Sequence, residues 1–348
     1  MNFRKLLFLL MPLALCVGMA SCSDDDSVDN RTLPFEIELK VETNASYRGL
    51  SLNLFGPNII IDWGDNSDVD IFLAENGGYT NITVEHQYPE SSSIKEYTVK
   101  ITGTGLSAFE IKPDPENKDV LASIVKSVDF KNCPFLSSVG LLGVEDMKSI
   151  DYNKLPALRQ LILEATYFTN LDCSAKGDLK TIILKDNQLL KTVKFPSSIE
   201  TISLSGNSLL TENDVNLSSY KNLQLFYLAY NDWSSVNLLS NKELVSLTMY
   251  ECDMEKVDIS VHNKLDYLSI EYTDVHTLIL PQNGFPELTY VGLGYNKLSA
   301  DMLNSVFKSL PTKKNTSNSY SIAIHQNPGA AGCDAKIATD KGWTIYGK

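Results

Sequence analysis

Between Val125 and Asn327 the chain returns again and again to one spacing, L-x-x-L-x-L-x-x-(N/C/T). The copies begin with Val125, Val128, Phe130, Cys133 and Leu158, Leu161, Leu163, Thr166, then Leu179, Ile182, Leu184, Asn187 and Ile199, Ile202, Leu204, Asn207. They continue with Leu223, Phe226, Leu228, Asn231 and Leu244, Leu247, Met249, Cys252, then Leu265, Leu268, Ile270, Thr273 and Leu288, Val291, Leu293, Asn296. Ile322, Ile324 and Asn327 form a degenerate last copy. From Thr166 to Asn296 the ninth-position residues lie 21, 20, 24, 21, 21 and 23 residues apart. A period of this size commits the chain to a solenoid, because no single copy can bury its own apolar side. Each L-x-L predicts a short parallel strand with its apolar residues inward. The Asn, Cys or Thr then turns the chain and satisfies backbone groups that the bend leaves unpaired.

This period and residue choice resemble the leucine-rich repeat, and residues 120–348 resemble internalin-like surface proteins in pattern. The resemblance implies a mainly β fold with irregular repeats of 20–24 residues and a binding role for the concave face. Cys133 and Cys252 fall on the turning position, where a buried free thiol has a structural role. Leu171-Asp172-Cys173-Ser174, Val257-Asp258-Ile259-Ser260 and Ile150-Asp151-Tyr152-Asn153 predict a second extended stretch on the back of the coil. The 33 residues from Cys133 to Thr166 fit neither one repeat nor two, so Met147 to Leu155 is either a truncated coil or part of a long convex loop. Met302, Leu303, Val306, Phe307 and Leu310 share one helical face and stop at Pro311, which predicts a capping helix over 299–310.

Residues 33–111 follow a different pattern. Phe35 to Val41 alternates strictly, as a half-buried strand does, and short strands follow at Leu50–Leu54, Ile59–Ile61, Thr83–Val84 and Tyr97–Ile101. Their density predicts a small β-sandwich. Ile61-Asp62-Trp63-Gly64-Asp65-Asn66-Ser67, His86-Gln87-Tyr88 and Tyr97-Thr98-Val99 resemble the motif of the polycystic-kidney-disease (PKD) module, with Asn66 in place of the usual glycine. That resemblance implies an Ig-like spacer or adhesion unit. Residues 112–119, with Pro113 and Pro115, read as a linker before the solenoid.

The first residues predict export. Arg4 and Lys5 precede an apolar run from Leu6 to Val17, shorter than the ~20 residues of a membrane span. Met19-Ala20-Ser21-Cys22 resembles a lipobox, which implies cleavage after residue 21 and acylation of Cys22. Residues 22–32 are then an acidic tether, and Asp24-Asp25-Asp26 resembles the surface-export signal of some Gram-negative lipoproteins. The expectation is an outer-membrane lipoprotein exposed at the cell surface and touching membrane only through its anchor. Loss of residues 1–21 leaves 28 basic residues against 43 acidic ones, which argues against nucleic acid as a partner.

No nucleophile, dinucleotide, phosphate or metalloprotease motif occurs, and the four histidines stand apart. Asp62, Asp65, Asp68 and Asp70 lack the arrangement of a calcium loop. Neither a cofactor nor a metal is implied. The distinctive chemistry is aromatic. Tyr227, Tyr230, Tyr250, Tyr267, Tyr272, Tyr290 and Tyr295, with Glu251 and Glu271, gather at strand positions of the C-terminal coils that face away from the core. The matching positions of earlier coils, such as Gln160, Thr181 and Ser203, hold no aromatic. Tyrosine offers rigid area with a polar tip, so the expectation is a non-catalytic binding protein for an extracellular protein or peptide. A glycan ligand, as in a polysaccharide-uptake system, is the alternative. Stacked tyrosines that merely pack across strands are the plain structural reading.

Overall fold

The computed structural model describes residues 32–75, 78–113, 124–313 and 320–348. The proposed signal peptide, Cys22 and nearly all of the tether lie outside the described residues, as does most of the linker. The chain is mainly β, with a solenoid of about nine turns.

The N-terminal unit contains β1 (Pro34–Thr43), β2 (Gly49–Gly56), β3 (Asn58–Asp62), β4 (Asp70–Leu73), β5 (Thr80–Gln87), β6 (Lys95–Thr104) and β7 (Ala108–Lys112). All five strands expected from alternation are present. In β1 the residues Phe35, Ile37, Leu39 and Val41 point inward, as their spacing requires. One antiparallel sheet runs β4-β3-β6-β1 and gains β8 (Val125–Asn132) at its edge. The other places β2 between β5 and β7. Their facing sides meet at Phe109 and Phe130, whose rings pack edge to face at 5.9 Å.

β8 corrects the first repeat. Val125, Val128 and Phe130 match the repeat spacing, yet they pair antiparallel with Val41, Leu39 and Ile37 of β1. Val128 and Phe130 alternate as a strand does, a register shift between Lys40 and Val41 brings Val125 to the same face, and the open edge of β1 offers a ladder of hydrogen bonds. Cys133 therefore ends a strand of the N-terminal unit, where its thiol donates to the Glu36 carbonyl.

The solenoid begins instead at β9 (Ser138–Leu142), which the repeat pattern passes over. Val139 and Leu141 stand in register with Leu161 and Leu163 of β10 (Gln160–Glu164). Val144 thus takes the turning position, one 22-residue coil before Thr166. Met147 and Ile150 lie on the return limb of that coil, which closes in a 3-10 turn at Tyr152–Lys154 rather than in the expected extended stretch.

Beyond it, β11 (Asn170–Asp172) and β13 (Thr192–Lys194) form a small parallel sheet on the back, and β12 (Thr181–Lys185) and β14 (Thr201–Ser205) extend the front. The front continues through β15 (Leu225–Ala229) and β16 (Ser246–Tyr250), with β17 (Lys256–Asp258) behind. It ends with β18 (Tyr267–Glu271), β20 (Tyr290–Gly292), β21 (Ser321–Ala323) and β22 (Thr344–Tyr346), while β19 (Thr277–Ile279) pairs with β17 on the back. Because β7 pairs parallel with β9, the N-terminal unit and the solenoid share one 13-stranded sheet.

A side-chain ladder holds the coils in register. Asn187 Oδ1 accepts from the Thr166 amide at 3.0 Å, Asn207 Oδ1 from the Asn187 amide at 3.2 Å, and Asn231 Oδ1 from the Asn207 amide at 3.0 Å. Asn207 Nδ2 donates to the Leu184 carbonyl at 3.0 Å, so both ends of the buried amide are satisfied. Cys252 stands in for asparagine, its sulfur taking the Asn231 amide and facing the Leu228 and Tyr250 carbonyls. The four cysteines among the described residues, Cys133, Cys173, Cys252 and Cys333, are buried free thiols.

The capping helix forms as α1 (Ala300–Ser309), with Ser299 as its N-cap and Leu303, Val306 and Phe307 buried. At its other end Lys341 Nζ donates to the carbonyls of Phe307, Lys308 and Leu310. A short α2 (Lys336–Thr339), Trp343 and the last strand close the core.

Candidate functional site

Each coil crosses from its front strand to its turning residue through one left-handed residue. These are Gly143, Ala165, Asp186, Gly206, Tyr230, Glu251, Tyr272, Tyr295 and Gln326, with φ between 49° and 64°. They stack in register, because each amide donates to the next coil. Tyr230 N–H reaches the Tyr250 carbonyl at 3.0 Å, and Tyr272 N–H the Gly294 carbonyl at 3.2 Å. Glycine suits such a position, and Gly143 and Gly206 show that this fold accepts it here. A bulky aromatic at positive φ is an outlier that costs on the order of 1–2 kcal/mol. Three coils nevertheless place tyrosine there.

Those tyrosines join into one surface ladder. Tyr230 meets Tyr250 edge to face at 5.4 Å, Tyr250 meets Tyr272 tilted at 5.0 Å, and Tyr272 lies flat on Tyr295 at 4.0 Å. Glu251 takes the left-handed position in the one coil between them, and the preceding Tyr250 fills the gap in the ladder. Tyr230, Tyr272 and Tyr295 are 49%, 39% and 44% exposed. A second stack runs beside the first, where Tyr267 and Tyr290 lie face to face at 4.6 Å.

Between the two stacks the sheet narrows. Tyr227, Thr248, Ser269 and Gly292 stand side by side in successive strands, each smaller than the one before. Steric room is thus left at the C-terminal end of this row, and Glu271 occupies it. A methyl group on Gly292 would sit 2.2 Å from Glu271 Oε1. Glu271 is 3% exposed, and no hydrogen bond to its carboxyl is present among the described residues. Burial alone raises its pKa to about 7. Burial likewise raises the hydroxyls of Tyr227 and Tyr250 to about 12, so they remain neutral donors. The Tyr227 hydroxyl is buried without a partner.

Of the nine residues singled out from sequence, Tyr230, Tyr250, Tyr272 and Tyr295 form the ladder, and Tyr267 and Tyr290 form the second stack. Tyr227 heads the row between them without a ring contact, Glu251 is exposed, and Glu271 is sequestered rather than displayed. Sequence reading passed over Ser269 and Gly292. A glycine inside a strand was the available signal, since it often marks close approach of another group.

The acidic cluster of the N-terminal unit is engaged internally. Asp65 Oδ2 pairs with His86 Nε2 at 2.9 Å, and Asp70 Oδ2 accepts from Trp63 Nε1 at 2.8 Å. Trp63 stacks on His86 at 4.5 Å, and Tyr88 stacks on Tyr97 at the same distance. Among the described residues no group of three His, Cys, Asp or Glu side chains converges as a metal site would, and no helix is long and apolar enough to cross a membrane. Compared with known proteins, the chain matches no family model and no curated relative.

Proposed function

We propose that this chain is a non-catalytic surface lipoprotein that binds an extracellular protein or peptide through the tyrosine ladder on the open face of its solenoid. Cys22 carries the lipid, the acidic tether lifts the protein from the outer membrane, and the PKD-like unit spaces a leucine-rich-repeat solenoid from the surface. The observation that carries the reading is the left-handed tyrosine. Tyr230, Tyr272 and Tyr295 hold a conformation better suited to glycine, and each ring remains substantially exposed. Strain held at a surface position, where the only packing return is contact with neighbouring surface rings, is characteristic of functional sites.

Ring orientation favours protein over glycan. A sugar stacks on an open aromatic face, but Tyr272 with Tyr295 and Tyr267 with Tyr290 turn their faces to each other, at interplanar angles of 10° and 12°. What remains outward is edges and hydroxyls, the amphipathic surface that protein interfaces use. A hydrolytic role has little support, because glycoside hydrolysis needs a pair of facing carboxyls and Glu271 is alone between the stacks.

The test is a screen of the chain from residue 32 onward against displayed peptides, immobilised extracellular proteins and a glycan array. A protein or peptide ligand is expected, with affinity falling at least about tenfold in a Tyr250→Ala/Tyr272→Ala variant of unchanged circular dichroism. Undiminished binding by that variant would remove the ladder from the site. A carbohydrate ligand lost in the same variant would make the protein a glycan-capture component instead.

A further inference from the structure

We propose that Glu271 and the tyrosines around it form a seat for a cationic side chain, an arginine or lysine, of the bound protein. The inference rests on the ladder being the binding face and names what the ligand must present to it.

Three acidic groups on or beside the solenoid face have a basic partner, while Glu251 stands exposed to solvent. Glu164 pairs with Lys185, Glu243 with Lys264 and Asp274 with Lys297. Glu271 has none among the described residues, although it is the most deeply buried carboxyl of the face. An unpaired buried carboxylate is costly, and a fold tolerates one where something else completes it. The surroundings suit a cation. Tyr267 and Tyr290 stand on one side, Tyr250 and Tyr272 on the other, and the carboxylate is close enough to all four to add to burial in raising the pKa of their hydroxyls. With the ring faces turned to one another, it is the tyrosine hydroxyl oxygens that accept the hydrogens of a guanidinium or ammonium.

Gly292 is what makes the seat. Any side chain there would collide with the carboxyl, because even a Cβ would lie 3.1 Å from Glu271 Cδ and 3.0 Å from Ser269 Oγ. Its φ is not in the left-handed region, so the backbone alone does not demand glycine. The buried, unpartnered Tyr227 hydroxyl at the head of the same row is a second polar group awaiting a partner. The formal net charge of −13 favours approach of a basic partner.

The experiment titrates the full-length chain, at physiological ionic strength, with a short peptide of arginines spaced by glycine and with its citrulline counterpart. Citrulline keeps the shape and hydrogen-bonding plane but removes the charge. The arginine peptide is expected to bind, and citrulline to bind at least about tenfold more weakly, as loss of one partner of a buried charge pair implies. Glu271→Gln and Gly292→Ala should each reproduce that loss with unchanged circular dichroism, while Glu243→Gln on an already paired acid leaves affinity intact. Equal affinity of the original chain and Glu271→Gln, or equal binding of the two peptides, would overturn the seat. If the ligand found by screening is lost in Tyr250→Ala/Tyr272→Ala but kept in Glu271→Gln, the seat fails and the ladder stands. If neither variant loses it, both fail.

Discussion

Tyr272 and Asn207 show two opposite uses of a residue in the same coil geometry. Asn207 serves the fold, its side chain bonding the Asn187 amide and the Leu184 carbonyl from a fully buried position. Asn207→Ala orphans both groups and should cost about 2–4 kcal/mol in chemical denaturation, since each abandoned buried polar group costs roughly 1–3 kcal/mol. A cost below about 0.5 kcal/mol would mean that the ladder is decorative. Tyr272 opposes the local backbone preference. Glu271 beside it ties function to pH. Burial raises its pKa from 4.5 to about 7, so between those values the folded protein holds a proton that the unfolded chain has released. Its contribution therefore favours folding as pH falls from 7 to 4.5. Replacement by glutamine removes the penalty of the ionised form. Glu271→Gln should melt higher than the original chain at pH 8, with the advantage shrinking by pH 5, and a pH-independent difference would refute the burial argument. His262 acts with the opposite sign. Burial lowers its pKa below 6.5, so acid charges the unfolded chain first and stability drops as pH falls below that value.

At the scale of elements, the front strands and the turning ladder were legible because their period and residue types repeat. Leu158 to Asn327 reads correctly coil by coil, and the capping helix over Ala300–Ser309 follows from its apolar face and Ser299. Two elements were not legible, for physical reasons. Leu136, Val139 and Leu141 keep the repeat spacing, but Val144 replaces the polar turning residue, so the first coil lacks the mark that identifies the others. Val125 to Phe130 matches the repeat spacing, and joins β1 as a strand only through a register shift beside Val125 that no sequence pattern announces. The tyrosine patch was visible as composition. The left-handed position behind it was not, although Gly143 and Gly206 at the matching offset were the clue. Cys252 offers a test of the ladder as an element. Asparagine there would give the Asn231 amide an oxygen acceptor in place of sulfur. Cys252→Asn should leave the melting temperature unchanged or raise it, whereas Cys252→Val should lower it through loss of roughly 1 kcal/mol.

Across the whole molecule, the N-terminal unit is more than a spacer. Its strand β7 pairs with β9 through Phe109↔Val139 and Glu110↔Gly140, so it covers the open end of the solenoid as a terminal cap does. A chain begun at Cys133 would bare the edge of β9 together with Leu136 and Val139. Such a chain should melt lower and aggregate, and equal stability with and without residues 32–132 would show that the shared sheet is incidental. On the proposed binding role, the left-handed tyrosines are retained for recognition and not for stability. That role is tested most directly by replacing Tyr230, Tyr272 and Tyr295 together with glycine, then measuring melting temperature and ligand affinity on the same sample. Relief of backbone strain, on the order of 1 kcal/mol per site, should offset the lost ring contacts of about 0.5–1.5 kcal/mol each. The expected result is a melting temperature close to that of the original chain with binding abolished. A collapse in stability, or binding that survives, would contradict it.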